Sequence, residues 1–293
     1  MKRGNGFSLV ELMIAMAISG IVMTAIYTAY SSQQKSYIAQ DQITVMQQGL
    51  RGGIYYLQRE IRMAGHDPTQ GAGATIVTAN ANSIRFTMDI GDGIDNDGDG
   101  STDESDEILF ADGVDNDGDG NIDEPDEILV DGGTGNANED IAYSLYDSGG
   151  DGIMDLGRAT GGGANSMVAE NIQALGFAYA YDDDGNGQLD TSGGSIIWAI
   201  DSDGDGDLDL NLDTDTNGVI DINDNAAGSA IAPNVNLNSI RAVKVWILAR
   251  AERGDDAIYN NTTYVISNQR ITPNDSIRRR LLTTTVRCMN MGL

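Results

Sequence analysis

The 293-residue sequence is poor in the residues that form many catalytic and cross-linked sites. Its one cysteine, Cys288, excludes an intrachain disulfide bond, and its place in an alternating segment predicts a buried thiol. It has one histidine, His66, and neither a nucleophile motif nor a phosphate-binding glycine loop followed by lysine. We therefore predict that the protein is not an enzyme.

Positive charge is also scarce. Lysine and arginine number 17 against 45 aspartates and glutamates, and the net charge of −28 excludes a nucleic-acid partner. The excess is confined to residues 66–231, which hold 38 acidic and 2 basic residues. The two ends of the chain are mildly basic.

One long apolar run is present near the N-terminus. Residues 7–30 are almost wholly apolar, carry the single charge of Glu11, and follow a short leader that contains Lys2 and Arg3. A run of this length can span a bilayer as a helix. The basic leader predicts a single-pass inner-membrane protein, with the leader in the cytoplasm and the rest of the chain across the membrane.

The junction between the leader and the run reads Gly6-Phe7-Ser-Leu-Val-Glu11-Leu12. It resembles the motif of type IV prepilins and pseudopilins. The resemblance implies that a prepilin peptidase cleaves between Gly6 and Phe7, so that the apolar helix is retained and Phe7 is N-methylated.

Glu11 requires an explanation, because a carboxylate at the centre of a membrane helix costs roughly 2.5–3.5 kcal/mol on insertion scales. Charges within a membrane are therefore candidates for function. The resemblance implies that Glu11 pairs with the α-amine of Phe7 on a neighbouring subunit during assembly. The alternative is that Glu11 lies near the interface and extends to water.

Three further segments resemble the PilW family of minor pilins. They are Arg-Glu-Ile-Arg-Met-Ala-Gly at 59–65, the strand-like segment 168–177, and the arginine-rich segment 278–287. The resemblance implies an α+β, type IV pilin-like fold, in which a long N-terminal helix packs on an antiparallel β-sheet head. The predicted parts are a leader at 1–6, a transmembrane and assembly helix at 7–65, and a β-rich head at 66–293.

Hydrophobic periodicity agrees with this architecture. Apolar residues at spacings of three or four between residues 43 and 64 predict one buried helix face. Alternating apolar residues predict half-buried strands at 84–88, 175–181, 243–247 and 282–288, with shorter strands at 195–200 and 262–267.

Acidic insertions occupy residues of about 90–160 and 182–226. A segment at 92–110 is repeated at 112–130, and each copy has the calcium-loop spacing Asp-x-Asp-x-Asp-Gly. Calcium takes six to eight oxygen ligands, which alternating aspartates around a glycine turn can supply. The predicted ligands of these two loops are Asp95, Asp97, Asp99, Ser101, Asp103 and Asp106, and then Asp115, Asp117, Asp119, Asn121, Asp123 and Asp126.

Further loops of this kind follow. One is complete, with ligands Asp213, Asp215, Asn217, Val219, Asp221 and Asp224. Another offers Asp201, Asp203, Asp205, Asp207 and Asp209 but has no carboxylate at the twelfth position. A loop at 182–190 also lacks it, and 147–155 is a weaker match. No EF-hand helices flank the loops. The alternative is a set of solvated, acidic low-complexity linkers.

These features predict a minor pilin of a type IV pilus that takes part in assembly, priming or adhesion and binds Ca²⁺ in its head. Its expected partners are other pilins, through the N-terminal helix, and the prepilin peptidase. The head is expected in the periplasm before assembly and on the pilus or cell surface afterwards. One alternative is a J-type minor pseudopilin of type II secretion, and another is a membrane-tethered calcium-dependent adhesin that never polymerises.

Overall fold

The computed structural model describes residues 8–67, 74–88, 139–255 and 258–291. The chain divides into two compact units, Met1–Val45 and Met46–Leu293. The predicted cleavage site at Gly6 and Phe7 and the two acidic repeats at 92–130 lie outside the described residues.

Among the described residues there is one α-helix, α1 (Leu9–Ile61), which is continuous through the apolar run from Leu9 onward. In the first unit its apolar side chains, among them Leu12, Ile21 and Tyr27, are exposed. The helix is long and apolar enough to cross a membrane. The prediction of a long apolar N-terminal helix is therefore confirmed.

In the second unit, α1 buries one face, as its periodicity predicted. The buried side chains are those of Met46, Leu50, Leu57 and Ile61. A Cβ atom at Gly53 would lie 3.0 Å from Cδ2 of Leu156 and 3.8 Å from Cδ1 of Ile247, so a glycine here lets the helix lie close to the strands. The helix ends at Ile61, four residues before the predicted end, and a turn continues to Gly65, whose φ is +70°.

The head contains fifteen strands in the described residues. They are β1 (Ile76–Ala79), β2 (Ile84–Thr87), β3 (Asp140–Tyr146), β4 (Asp155–Thr160), β5 (Ser166–Ala169), β6 (Ile172–Tyr181), β7 (Thr191–Ser192), β8 (Ser195–Ile196), β9 (Ala199–Ile200), β10 (Asp207–Asn211), β11 (Ser229–Asn236), β12 (Ile240–Gly254), β13 (Tyr264–Ile266), β14 (Gln269–Ile271) and β15 (Ile277–Arg287).

These strands form two larger antiparallel sheets and two small hairpins. The first sheet is a meander in the order β1-β2-β3-β4-β5, and the second has the order β11-β10-β9-β6-β12-β15. The hairpins are β7-β8 and β13-β14. The predicted α+β fold, with a long helix on an antiparallel head, is confirmed.

Backbone hydrogen bonds join the first sheet to the second. The N–H of Phe177 donates to the carbonyl of Ala81 at 2.9 Å, and the N–H of Asp201 donates to the carbonyl of Ala79 at 3.1 Å. The hydroxyl of Tyr179, which is fully buried, donates to the carbonyl of Asn80 at 3.3 Å. One continuous core therefore holds both sheets, and Cys288 is buried in it as predicted.

Strand β6 differs from its predicted half-buried pattern, because nine of its ten residues are buried. Its second face carries alanines and Gly176, and the β13-β14 hairpin covers it. A Cβ atom at Gly176 would lie 2.6 Å from Cγ2 of Ile266, and the hydroxyl of Ser267 donates to the carbonyl of Phe177 at 2.6 Å. The small residues therefore mark a close approach of backbone rather than a solvent-facing side.

Polar contacts of Glu60 hold the end of α1 against the first sheet, and these contacts were not predicted from the sequence. The Nε–H of Arg158 on β4 donates to both carboxylate oxygens of Glu60, at 2.9 and 3.1 Å. The hydroxyl of Tyr143 on β3 donates to the same carboxylate. Burial first, and then the charge of Glu60, raises the pKa of Tyr143.

Candidate metal sites and the N-terminal carboxylate

The four described acidic loops, at 147–155, 182–190, 201–209 and 213–224, share one backbone arrangement. The carboxylate of the first aspartate accepts N–H groups from residues three to five positions further along the loop. These carboxylates belong to Asp147, Asp182, Asp201 and Asp213. The aspartate therefore folds the loop around its own oxygens, as in an Asx-turn.

A glycine at the sixth position makes this turn possible. Gly206 and Gly218 have φ values of +89° and +88°, in the left-handed region that only glycine occupies without strain. The same position is glycine in the other two loops, at 152 and 187. The spacing recognised in the sequence thus corresponds to one repeated loop geometry.

In the loop at 201–209, three carboxylates converge. Asp201, Asp203 and Asp205 each offer an oxygen, and these oxygens lie within 4.8 Å of one another. Asp201 is buried and the other two are exposed. Partial desolvation by the surrounding loop and repulsion from the Asp205 carboxylate raise the pKa of Asp203, although the N–H of Asp205 opposes this change.

The loop at 213–224 brings together a second and more buried group. It comprises Asp213, Asp215 and Asp224, the residues at the first, third and twelfth positions, with oxygens again within 4.8 Å. Asp213 is 1% exposed and Asp224 is 6% exposed. Three carboxylates at this distance, two of them buried, suit a hard cation that accepts oxygen ligands.

The pKa values of the two buried carboxylates of this second group are shifted in opposite directions. Burial, reinforced by the nearby Asp224, raises the pKa of Asp213, although N–H groups of the loop oppose the change. Burial also acts on Asp224, but the N–H groups of Asp221, Thr214 and Asp215 outweigh it and lower its pKa. The loop therefore favours the ionised form of Asp224. The negative charge of Asp224 in turn disfavours the ionised form of Asp213.

Several predicted ligands lie outside both groups. The carboxylate of Asp209 accepts the N–H of Ser202 at 2.8 Å and its hydroxyl at 2.6 Å. The Oδ1 of Asp221 accepts the N–H of Asn223 at 2.7 Å. Asp207 is the third predicted carboxylate ligand outside the groups, and Asn217 and Val219 stay predictions as amide and carbonyl ligands.

The loop at 182–190 shows the same turn with an amide in place of one carboxylate. Asn186 donates its Nδ2–H to Asp184 at 2.8 Å and accepts the N–H of Gln188 on Oδ1. Burial acts against the ionised form of Asp182, but the N–H groups of Gly187 and Asn186 lower its pKa. The described residues of the loop at 182–190 do not form a group of three converging carboxylates.

Protein cations also approach the loop at 213–224. The ammonium of Lys244 on β12 lies 5.0 Å from the ring centre of Trp198 and 5.5 Å from that of Trp246. Burial lowers the pKa of Lys244, whereas the charge of Asp213 opposes this. The guanidinium of Arg270 donates to the carbonyl of Asp221 at 3.0 Å and fixes the loop to the β13-β14 hairpin.

At the start of α1, Glu11 takes part in a reciprocal pair with Ser8. The N–H of Ser8 donates to Oε2 of Glu11 at 2.8 Å, and the N–H of Glu11 donates to Oγ of Ser8 at 3.2 Å. This is a capping box, which satisfies two of the free N–H groups at a helix start. This capping box was not predicted, although the Ser-x-x-Glu spacing that signals it is visible in the sequence.

Comparisons with known proteins bear on both ends of the chain. Residues 1–27 match the prokaryotic N-terminal methylation motif. Residues 133–290, more than half of the chain, match the family model of Type IV Pilus-assembly protein W. No curated protein matches the chain.

One solved structure that resembles the chain is a type IV-like pilin from Thermus thermophilus. The likeness covers 86% of this chain and 98% of that chain, at 13% sequence identity and a TM-score of 0.37.

Proposed function

Since this chain belongs to the PilW family of type IV pilus-assembly proteins, we propose that it is a minor pilin that acts in pilus assembly, priming or adhesion. The observation that carries this proposal is the family match over residues 133–290, in a head that buries one face of the same helix that starts with the methylation motif. The apolar, exposed side chains of the first unit suit a membrane before assembly and neighbouring pilin helices after it.

The proposed processing site is the bond between Gly6 and Phe7. Cleavage there by the prepilin peptidase leaves Phe7 as the new N-terminus, which is then N-methylated. The proposed partner of Glu11 is the α-amine of Phe7 on a neighbouring subunit. Because Glu11 already accepts the N–H of Ser8, the incoming amine either shares the carboxylate or displaces Ser8 from it.

We further propose that the acidic loops of the head bind Ca²⁺. The group of Asp213, Asp215 and Asp224 is the best candidate, because two of its carboxylates are buried and its twelfth-position ligand is present. Bound calcium would supply positive charge at the point where Asp213 and Asp224 repel one another. Carbonyl groups and water complete the coordination in sites of this kind.

The head is proposed to face the periplasm and, after assembly, the cell surface. The extracytoplasmic side is where millimolar calcium can occupy weak sites, with a dissociation constant of about 10⁻⁴–10⁻³ M. Calcium would then stabilise the head only after export, because mass action requires a concentration above that constant.

Deleting the gene in the host organism tests the assignment to a pilus. We expect fewer surface pili in sheared fractions and restoration by the wild-type gene. Secretion of type II substrates should stay at the wild-type level. Loss of that secretion with normal pili would instead identify the chain as a J-type pseudopilin, and recovery of the protein only in membranes, never in filaments, would identify a tethered adhesin.

A further inference from the structure

A cavity of about 490 Å³ lies at one end of the head, between the start of β12, the end of β15 and the loop at 182–190. Three arginines, Arg62, Arg241 and Arg287, line it together with the apolar residues Leu189 and Met289. In a chain with a net charge of −28, convergence of three arginines on one cavity requires a reason.

The guanidinium of Arg241 has N–H donors that no described residue uses. Its Nη1 donates to the carbonyls of Asn238 and Ile240 at 2.7 and 3.0 Å, which fixes the guanidinium plane. Its Nε is buried and has no hydrogen-bond partner among the described residues, and its Nη2 makes no hydrogen bond with them. An arginine whose guanidinium is fixed and still has unused N–H donors can bind an oxyanion through charge-assisted hydrogen bonds.

Arg62 and Arg287 have no acidic partner among the described residues. In the described residues, neither the side chain of Arg62 nor that of Arg287 makes a hydrogen bond or an ion pair, and both are exposed. Asp182 is the one acidic residue of the cavity wall, and its carboxylate accepts the N–H groups of Asn186 and Gly187. Three positive charges therefore face one negative charge, which accepts N–H groups of its own loop and is also stabilised by the charge of Arg241.

We propose that this cavity binds a carboxylate attached to an apolar body. The unused N–H donors of Arg241 would bind the carboxylate, Arg62 and Arg287 would add charge, and Leu189 and Met289 would contact the apolar part. The cavity volume falls in the range of ligand sites, and a few placed polar groups in an apolar wall are typical of them. The carboxylate comes either from a neighbouring subunit, as a side chain or chain end, or from a free small molecule.

The test compares two matched probes on the full-length chain in detergent micelles. N-Acetylleucine carries a carboxylate on an apolar body, and N-acetylleucinamide is its neutral counterpart of equal shape. Titration followed by NMR or calorimetry should show millimolar binding of the acid and at least tenfold weaker binding of the amide. Equal binding of the two, or no binding of the acid, would overturn the proposal, as would equally tight binding of inorganic phosphate.

Variants locate the binding site. Arg241→Gln should weaken binding of N-acetylleucine at least tenfold, and Arg62→Gln and Arg287→Gln should each weaken it several-fold. Arg62 and Arg287 are exposed and make no side-chain hydrogen bond to the described residues, so these two variants should fold as the wild type does. The matched control is Arg280→Gln, an exposed arginine of β15 outside the cavity, which should bind as the wild type does. If Arg280→Gln weakened binding of N-acetylleucine as much as the cavity variants do, the loss would come from net charge alone, and the proposal would be overturned.

The source of the carboxylate is then decided in cells, and only this step rests on the proposed pilus function. If a neighbouring subunit supplies it, the Arg62→Gln and Arg287→Gln double variant should enter sheared pili less than Arg280→Gln does. Entry at the wild-type level, together with lost binding of N-acetylleucine, assigns the cavity to a free small carboxylate. The binding measurements stand even if the chain proves not to enter pili.

Discussion

Calcium should stabilise the head through the group of Asp213, Asp215 and Asp224, and Asp215→Asn is the sharpest perturbation of it. Asp215 is exposed, and its oxygens accept the N–H and the Nδ2–H of Asn217 at 3.1 and 2.9 Å. An asparagine keeps the shape and removes one of three converging charges. In chelator we therefore expect the variant to melt at the wild-type temperature or slightly above it, because repulsion is reduced.

The magnitude follows from mass action. With a dissociation constant of about 10⁻⁴ M, 1 mM calcium adds about 1.4 kcal/mol to the free energy of unfolding for each site. In a domain of about 150–250 residues, 1 kcal/mol moves the melting temperature by about 2–4 °C, so one site is worth about 3–6 °C. Asp215→Asn should remove most of one such increment, and Asp203→Asn, in the loop at 201–209, should remove another.

The assay is thermal unfolding of the full-length chain in detergent, with 1 mM calcium or with chelator, accompanied by limited proteolysis. The matched control is Asp183→Asn, which removes an exposed charge from the loop at 182–190 at a position that offers no predicted ligand. It should keep the full calcium-induced shift. If Asp215→Asn and Asp183→Asn respond to calcium as the wild type does, the group at 213–224 is not a calcium site. Identical melting of the wild type in calcium and chelator would mean that the acidic loops are solvated linkers.

The pH dependence has a definite sign. The pKa of Asp213 is raised above its ordinary 3.8, so in the absence of metal its ionisation opposes folding as the pH rises through that pKa. Calcium binds the ionised carboxylate, so with calcium present the ionisation of Asp213 no longer opposes folding. The calcium-induced rise in melting temperature should therefore be full at neutral pH and be lost as the pH falls through the raised pKa of Asp213. A shift of equal size on both sides of that pKa would contradict the assignment of Asp213 as a ligand.

Three further predictions concern processing, assembly and the helix–head contact. Mass spectrometry of membrane-extracted protein should find a mature chain that starts at Phe7. Glu11→Ala should insert into the membrane but enter filaments poorly, and Glu11→Gln, which can keep the capping box, should enter equally poorly because the charge is lost. Arg158→Met should lower the free energy of unfolding by about 1–2 kcal/mol, because it leaves the largely buried Glu60 without its cation. The control Arg253→Met, which breaks an ion pair with 77% and 64% side-chain exposure, should change it by less than about 0.5 kcal/mol.

Each of these has an outcome that contradicts it. A mature chain that keeps Met1 would exclude cleavage after the leader. Entry of Glu11→Gln at the wild-type level would leave helix capping as the role of Glu11. Equal effects of the Arg158 and Arg253 variants in chemical unfolding would show that the contact of α1 with β4 carries no special stability.

Local patterns in the sequence were sufficient to predict the helix and the turn of each of the four described acidic loops. Spacings of three and four predicted that Leu50, Leu57 and Ile61 lie on one buried face, because the helical repeat alone sets which side chains share a side. A loop turn is likewise local, since an aspartate folds it onto N–H groups three to five residues away. The glycine at the sixth position could therefore be read without knowledge of the fold.

Contacts between distant segments were decided by the tertiary structure alone. The alternation in β6 indicated that one face of the strand is exposed to solvent. Gly176 on that face is instead covered by Ile266, which is 90 residues away along the chain. Glu60 and Arg158 are separated by 98 residues, and no local pattern pairs them. Periodicity reports whether one face of an element is apolar, and it cannot report which other element covers the opposite face.

The candidate sites divide in the same way. The sequence identified Asp213, Asp215 and Asp224 as neighbours because one loop holds all three. It could not identify the cavity of Arg62, Arg241 and Arg287, since the end of a helix and two strands must first meet there. A site built within one loop is determined by the order of its residues, whereas a site built from separate elements exists only once the core has packed them together.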